Sequence, residues 1–163
     1  MATDRLLISK EDFYEYKSIV QNSDPSRIMN YVREAQKFDL VSVINKELIE
    51  DIQENLNVTR NQNLIPLIKP VLCYYSYARY INFGNVSDSA TGFVQKINEF
   101  SIPISEKMIA RLATGARTLA LGYAEDLVKF LNDNKTIYTL WKSGCGVQSS
   151  GKGSFSITEI SRT

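Results

Sequence analysis

The sequence contains no histidine. That removes the commonest general base, every Ser–His or Cys–His nucleophile pair, and most zinc sites. Cysteine is nearly as scarce, with only Cys73 and Cys145. No basic start followed by an apolar run opens the chain, so we expect no signal peptide. Two free thiols in a reducing cytoplasm are then expected, not a disulfide. Long apolar runs are missing too: Pro66, Lys69, Pro70 and Arg79 break the longest, and no membrane span is expected. Neither sign of charge is in surplus. A formal net charge of +1 gives no overall field for nucleic acid or an anionic membrane.

What is present is ordinary for a globular chain. The 163 residues, 44% hydrophobic and 23% charged, suffice for one domain with a proper core. "ATDRLLIS" reads as a short extended arm. Ser9, three places before Asp12, makes a capping-box-like start for a helix running to about Val20. Asp24-Pro25 opens the next, with Asp as cap and Pro in the first turn. Ile28, Tyr31, Val32, Ala35 and Phe38 follow at helical spacing.

Residues 39–56 read as a short turn and then a helix with Leu48, Ile49 and Ile52 on its apolar side. Glu47, Glu50, Asp51 and Glu54 make its other side acidic, which is ordinarily a solvated face. "NVTRNQN" reads as a polar loop, after which Pro66 and Pro70 open a helix ended by Gly84. Residues 85–104 lack a helical period and are expected to form an irregular loop or weak hairpin. Ser105 caps the longest helix, from Glu106 to about Asp133. Its apolar and small residues cover more than half its circumference, with Met108, Leu112, Leu119, Tyr123, Leu127 and Phe130 on one side. Gly115 and Gly122 share a stripe and cost helix stability of about 1 kcal/mol each, which suggests close helix approach. The expected fold is all-α, about five helices with this long central C-terminal helix. The domain spans 1–143, and 144–163 is an extended, flexible Gly/Ser-rich tail.

Catalytic, cofactor and metal sites are not expected, and the chain is not read as an enzyme. Cys145 in "SGCG" has no base nearby in sequence. The four acidic residues lack the glycine and alternating ligands of a calcium loop. "GVQSSGKG" fits a phosphate-binding loop until Gly153, which stands where a hydroxyl must reach Mg²⁺. The aromatic cluster in "VLCYYSYARYINFGN" is the remaining signal. Buried tyrosine needs a hydrogen-bond partner, and tyrosine and tryptophan are favoured at protein interfaces. Tyr74, Tyr75, Tyr77 and Tyr80, with Trp141 and the tail residues Phe155, Ile157 and Ile160, are therefore candidates for a subunit or partner interface. A second reading keeps the chain monomeric and uses the Tyr-rich helix to bind a protein.

Several linked segments carry a resemblance: "LIS-x-x-DF", "IMNYVREAQKFDL", "LIPLIKPVLCYYSYARYI", "GFVQKINEFSIPIS", "ARLATGARTLALGYAEDLVKFLND" and "LW". Across about residues 6–142 the chain resembles the small head–tail connector (adaptor) proteins of tailed bacteriophages, in the variant of Bacteroidetes-type and crAss-like phages. The resemblance implies a structural virion protein made in the host cytoplasm. It would form a ring, dodecameric in that family, under the portal protein at the capsid vertex. Its neighbours would be the portal and the next ring or tail protein, and DNA would pass through its channel without sequence-specific binding. Glu47, Glu50, Asp51 and Glu54 would then be candidates for the channel wall, where they would repel phosphate.

Overall fold

A computed structural model describes residues 5–16, 25–84, 86–89, 92–95 and 105–143. The tail expected over 144–163, with Cys145, the glycine-rich near miss, Phe155, Ile157 and Ile160, lies outside the described residues. Helices dominate. In chain order they are α1 (Lys10–Tyr16), α2 (Pro25–Glu34), a π-helical turn (Ala35–Leu40), α3 (Val41–Val43), α4 (Lys46–Glu54), α5 (Thr59–Phe83) and α6 (Glu106–Asp133). Because α2, the π-helical turn and α3 run on without a break, the helical rods among the described residues number five. The segment between α5 and α6 contains an antiparallel hairpin, β1 (Val86–Ser89) and β2 (Gly92–Gln95), with Val86 opposite Gln95 and Ser89 opposite Gly92.

Local chemistry sets the helix starts. Ser9 and Asp12 cap each other: the Ser9 N–H donates to Asp12 Oδ2 at 2.8 Å, and the Asp12 N–H to Ser9 Oγ at 3.2 Å. Ser105 Oγ accepts from the Met108 N–H and opens α6. The segment before α1 is held by two buried glutamines. Gln36 Oε1 accepts from the Leu7 N–H, while Gln36 Nε2 and Gln53 Nε2 both donate to the Arg5 carbonyl. Leu7 and Ile8 are thereby buried.

The helix expected to open at Pro66 begins seven residues earlier, at Thr59, and "NVTRNQN" contributes its first turn. Pro66 and Pro70 both lie inside α5. Each removes one backbone donor from the helix. Tertiary packing outweighs that loss, because Leu64, Ile68, Val71 and Leu72 of the same helix are fully buried. Around them Phe13, Ile28, Val32, Leu40, Leu48 and Ile52 from the other helices, and Ile44 from the turn between α3 and α4, complete the core.

Helix α6 packs antiparallel to α5: Asn82 borders Ala110 to Arg117, Tyr74 meets Tyr123, and the Tyr138 hydroxyl donates to the Arg60 carbonyl at 2.8 Å. Its inward stripe is Ala113, Ala116, Ala120, Ala124, Leu127 and Leu131. Met108, Leu112, Leu119 and Tyr123, on the side that also carries Leu127 and Phe130, are exposed. The large buried side chains of α5 already fill the interhelical space, so α6 must approach with alanine. Nor do Gly115 and Gly122 serve a close approach within the protomer, since a Cβ at either would meet nothing within 4 Å.

Candidate interaction surfaces

The tyrosine cluster divides between core and surface. Tyr75 is the buried one. Burial pushes its phenol above the ordinary value, and Asp39 adds to the rise while Arg117 opposes it. Tyr74, Tyr77 and Tyr80 are half-buried and form the edge of the core. Tyr77 stacks on Tyr80 at 6.4 Å, and Tyr80 meets Tyr31 edge-on at 6.2 Å. These rings are partnered inside the protomer, yet each keeps part of its surface in solvent.

Trp141 also belongs to the protomer's own core, which removes it, like Tyr75, from the candidate interface. Residues 134–143 make turns that fold back on the domain. The indole Nε1 donates to Asn132 Oδ1 at 3.0 Å, and buried Asn45 fastens the same segment. Asn45 Nδ2 donates to the Leu140 carbonyl, and its Oδ1 accepts from the Lys142 N–H.

The four acidic residues of α4 are not equivalent. Glu47 and Glu54 are exposed. Glu47 accepts from Asn45 and Lys142, and the Asn45 amide is the main reason that its carboxyl falls to about 2. Glu50 pairs with Lys46. Asp51 is turned inward, taking two hydrogen bonds from Arg60 and others from Asn55 and Asn61. Its role is to fasten α4 to the start of α5, so Asp51 drops out of any free acidic face. Among the described residues no three histidine, cysteine or acidic side chains are grouped to hold a metal ion. No helix among them is long and apolar enough to cross a membrane.

Among the described residues, several apolar side chains not named as interface candidates are also exposed. Phe38 is 59% exposed, with the Arg79 guanidinium 5.8 Å and the Lys37 ammonium 5.6 Å from its ring centroid. Arg79 is itself fixed by Asp39 at 2.7 Å and Glu34 at 3.3 Å. One turn along α5, Phe83 is 56% exposed. Val58, Ile137 and Leu140 are exposed where α5 begins and the turns after α6 return. The antiparallel register therefore places Phe38 and Phe83 toward one end of the α5–α6 hairpin, and this trio toward the other. The position of Phe83 just before Gly84 signals a helix end. Nothing in sequence signals Phe38, because the π-helical turn moves it off the α-helical face it shares in pattern with Ala35.

Residues 37–151 match a family of unknown function, DUF6712. The chain belongs to that family. No curated protein matches it, and no solved structure does. The match takes in α4, α5 and α6, and so includes both ends of the α5–α6 hairpin. A cleft of about 160 Å³ lined by Asn82, Ala110, Ala113, Thr114 and Arg117 lies within the same span. It is smaller than the roughly 300–1,000 Å³ usual for organic ligands. Protein surface is the better candidate for recognition.

Proposed function

We propose that the chain is the subunit of a structural ring, a head–tail connector that docks under a phage portal and extends the DNA channel toward the tail. The resemblance of segments across residues 6–142 suggests this role. The observation that carries it is the pair of dissimilar apolar patches at opposite ends of the α5–α6 hairpin, Phe38 with Phe83 and Val58 with Ile137 and Leu140. A head-to-tail contact between unlike patches is heterologous, and heterologous contacts generate rings when the rotation closes. Exposed aromatic and aliphatic anchors suit such contacts. In this reading Glu47, Glu50 and Glu54 line the channel and keep passing DNA from adhering. Portal and tail proteins are the neighbours, and the virion neck is the location.

Electron microscopy of the assembled particle tests the proposal. A symmetric ring of this chain at the portal vertex is the expected outcome. Finding it elsewhere, or as isolated single copies, overturns the proposal; single copies would favour a monomeric binding module working through the half-exposed tyrosines.

A further inference from the structure

The cleft where the end of α5 faces the first half of α6 has a one-sided chemistry. Asn82 comes from α5, and Ala110, Ala113, Thr114 and Arg117 come from α6. Asn82 can donate through its NH2 and Thr114 through its hydroxyl, while Arg117 only donates. Among the described residues none of these three side chains makes a hydrogen bond or an ion pair. Donors therefore converge on about 160 Å³ of open space, and no carboxylate lines it.

The sequence leaves Arg117 uncompensated on both helices. On its own helix an acidic partner would stand three or four residues away. Those places are taken by Ala113, Thr114, Ala120 and Leu121. Across the cleft, α5 has no aspartate or glutamate from Thr59 to Phe83. Asp39 is the acid that acts on the Tyr75 phenol of α5, and it is already bound by Arg79 at 2.7 Å. The Arg117 charge acts on that same phenol with the opposite sign. It is therefore felt at the face of α5, although the side chain itself is exposed.

We infer that this cleft takes a single carboxylate, the side chain of an aspartate or glutamate on another protein chain. The guanidinium of Arg117 offers such a group a two-pronged grip. The Asn82 NH2 and the Thr114 hydroxyl supply further donors, and Ala110 and Ala113 give the methylene stem an apolar wall. A space too small for most organic ligands suits one side chain. Nucleic acid fits less well. Its backbone presents a run of phosphates, which farther along α6 would meet Glu125 and Asp126; a lone carboxylate would not. The inference holds for a ring subunit and for a lone binding module alike, so it goes beyond the choice between them.

The test titrates the isotopically labelled full-length chain with acetyl-Gly-Glu-Gly-amide and follows the Arg117 Nε–H and Asn82 NH2 signals by NMR. Both should shift together and saturate in the millimolar range. The same peptide with glutamine in place of glutamate should move neither. Arg117→Gln should weaken binding by at least about tenfold, the loss of a charge-assisted contact. It should keep the melting temperature, because Arg117 is exposed. Asn82→Asp places a carboxylate inside the cleft, where it should occupy Arg117 and exclude the peptide to the same extent. A shift that never saturates, a shift at Arg117 without one at Asn82, or an Asn82→Asp chain that binds undiminished each overturns the inference. So does tighter binding of inorganic phosphate or of a short DNA duplex, which would make the cleft a phosphate site. The isolated chain is used throughout, so failure here leaves the ring proposal standing, and absence of a ring leaves the carboxylate site standing.

Discussion

The ring of Tyr74 lies stacked on that of Tyr123, centroids 5.5 Å apart and planes 17° from parallel. One ring comes from α5 and the other from α6, so the pair ties the two longest helices together at the solvent edge. Burial pushes the Tyr74 phenol above the ordinary value, and the Tyr123 phenol adds to the rise. Stacked aromatic pairs contribute about 0.5–1.5 kcal/mol beyond the area they bury. A double-mutant cycle with Tyr74→Leu and Tyr123→Leu, read by urea unfolding, should give a coupling energy in that range. A coupling of zero would reduce the contact to simple coverage.

Trp141 closes the domain. It is 7% exposed and hydrogen-bonded to Asn132, so Trp141→Ala should cost about 3 kcal/mol, chiefly through lost packing, while Asn132 Oδ1 still accepts from Ser143 Oγ. A chain ending at Ser143 should melt like the full chain in calorimetry, because every contact of Trp141 and Tyr138 described above survives. A chain ending at Asn134 loses both rings and should melt well below it.

Cys73 should be inert in the native state. Its side chain is buried, and burial pushes the thiol up to about 12 from 9.0. In a Cys145→Ser chain, a colorimetric thiol reagent at pH 8 should react only after denaturant is added. The sign of the pH effect follows from the raised folded value. Stability is fully present below pH 9 and is lost progressively as pH rises from 9 toward 12, where the unfolded chain loses the proton first. Cys73→Ala should flatten that alkaline loss.

Glu47 gives the opposite case. Its carboxyl is lowered from 4.5 to about 2 by Asn45, its own backbone N–H and Lys142. The contribution is present above pH 4.5 and lost as pH falls through 2. Carbon-detected titration of the Glu47 side chain should find it protonating well below 4.5. Lys142→Ala should move its midpoint upward only part of the way, since Asn45 remains.

The legible parts of this fold were the ones governed by local chemistry. Ser9 with Asp12, Asp24-Pro25, Ser105 and the unbroken run to Asp133 fixed where helices start and how far α6 extends, and the poor periodicity after Gly84 marked the hairpin. Misreadings arose where distant packing overrode local preference. Two prolines and a polar heptapeptide hid the first turns of α5, which is held by burial of Leu64 and Ile68. The inward side of α6 was not legible because apolar and small residues cover more than half its circumference, and only the crowded surface of α5 selects the alanine stripe. Among the candidate residues, local sequence gave the tyrosines and the acids but not their directions. Tyr75 and Trp141 go inward because Asp39, Asn132 and Asn45 stand beside or around them, and sequence spacing does not report those neighbours.

The π-helical turn at Ala35–Leu40 makes one prediction about length instead of chemistry. An i→i+5 turn holds one residue more than the α-helical path it replaces. Deleting a single residue there would let α2 and α3 join as one continuous α-helix, re-phasing everything downstream by about 100°. Gln36 would then leave the Arg5 carbonyl, or Phe38 would swing off Arg79. Relatives of this chain should therefore tolerate substitution at Phe38 more readily than a one-residue gap beside it, and a shorter relative should lack the exposed ring or the glutamine clamp.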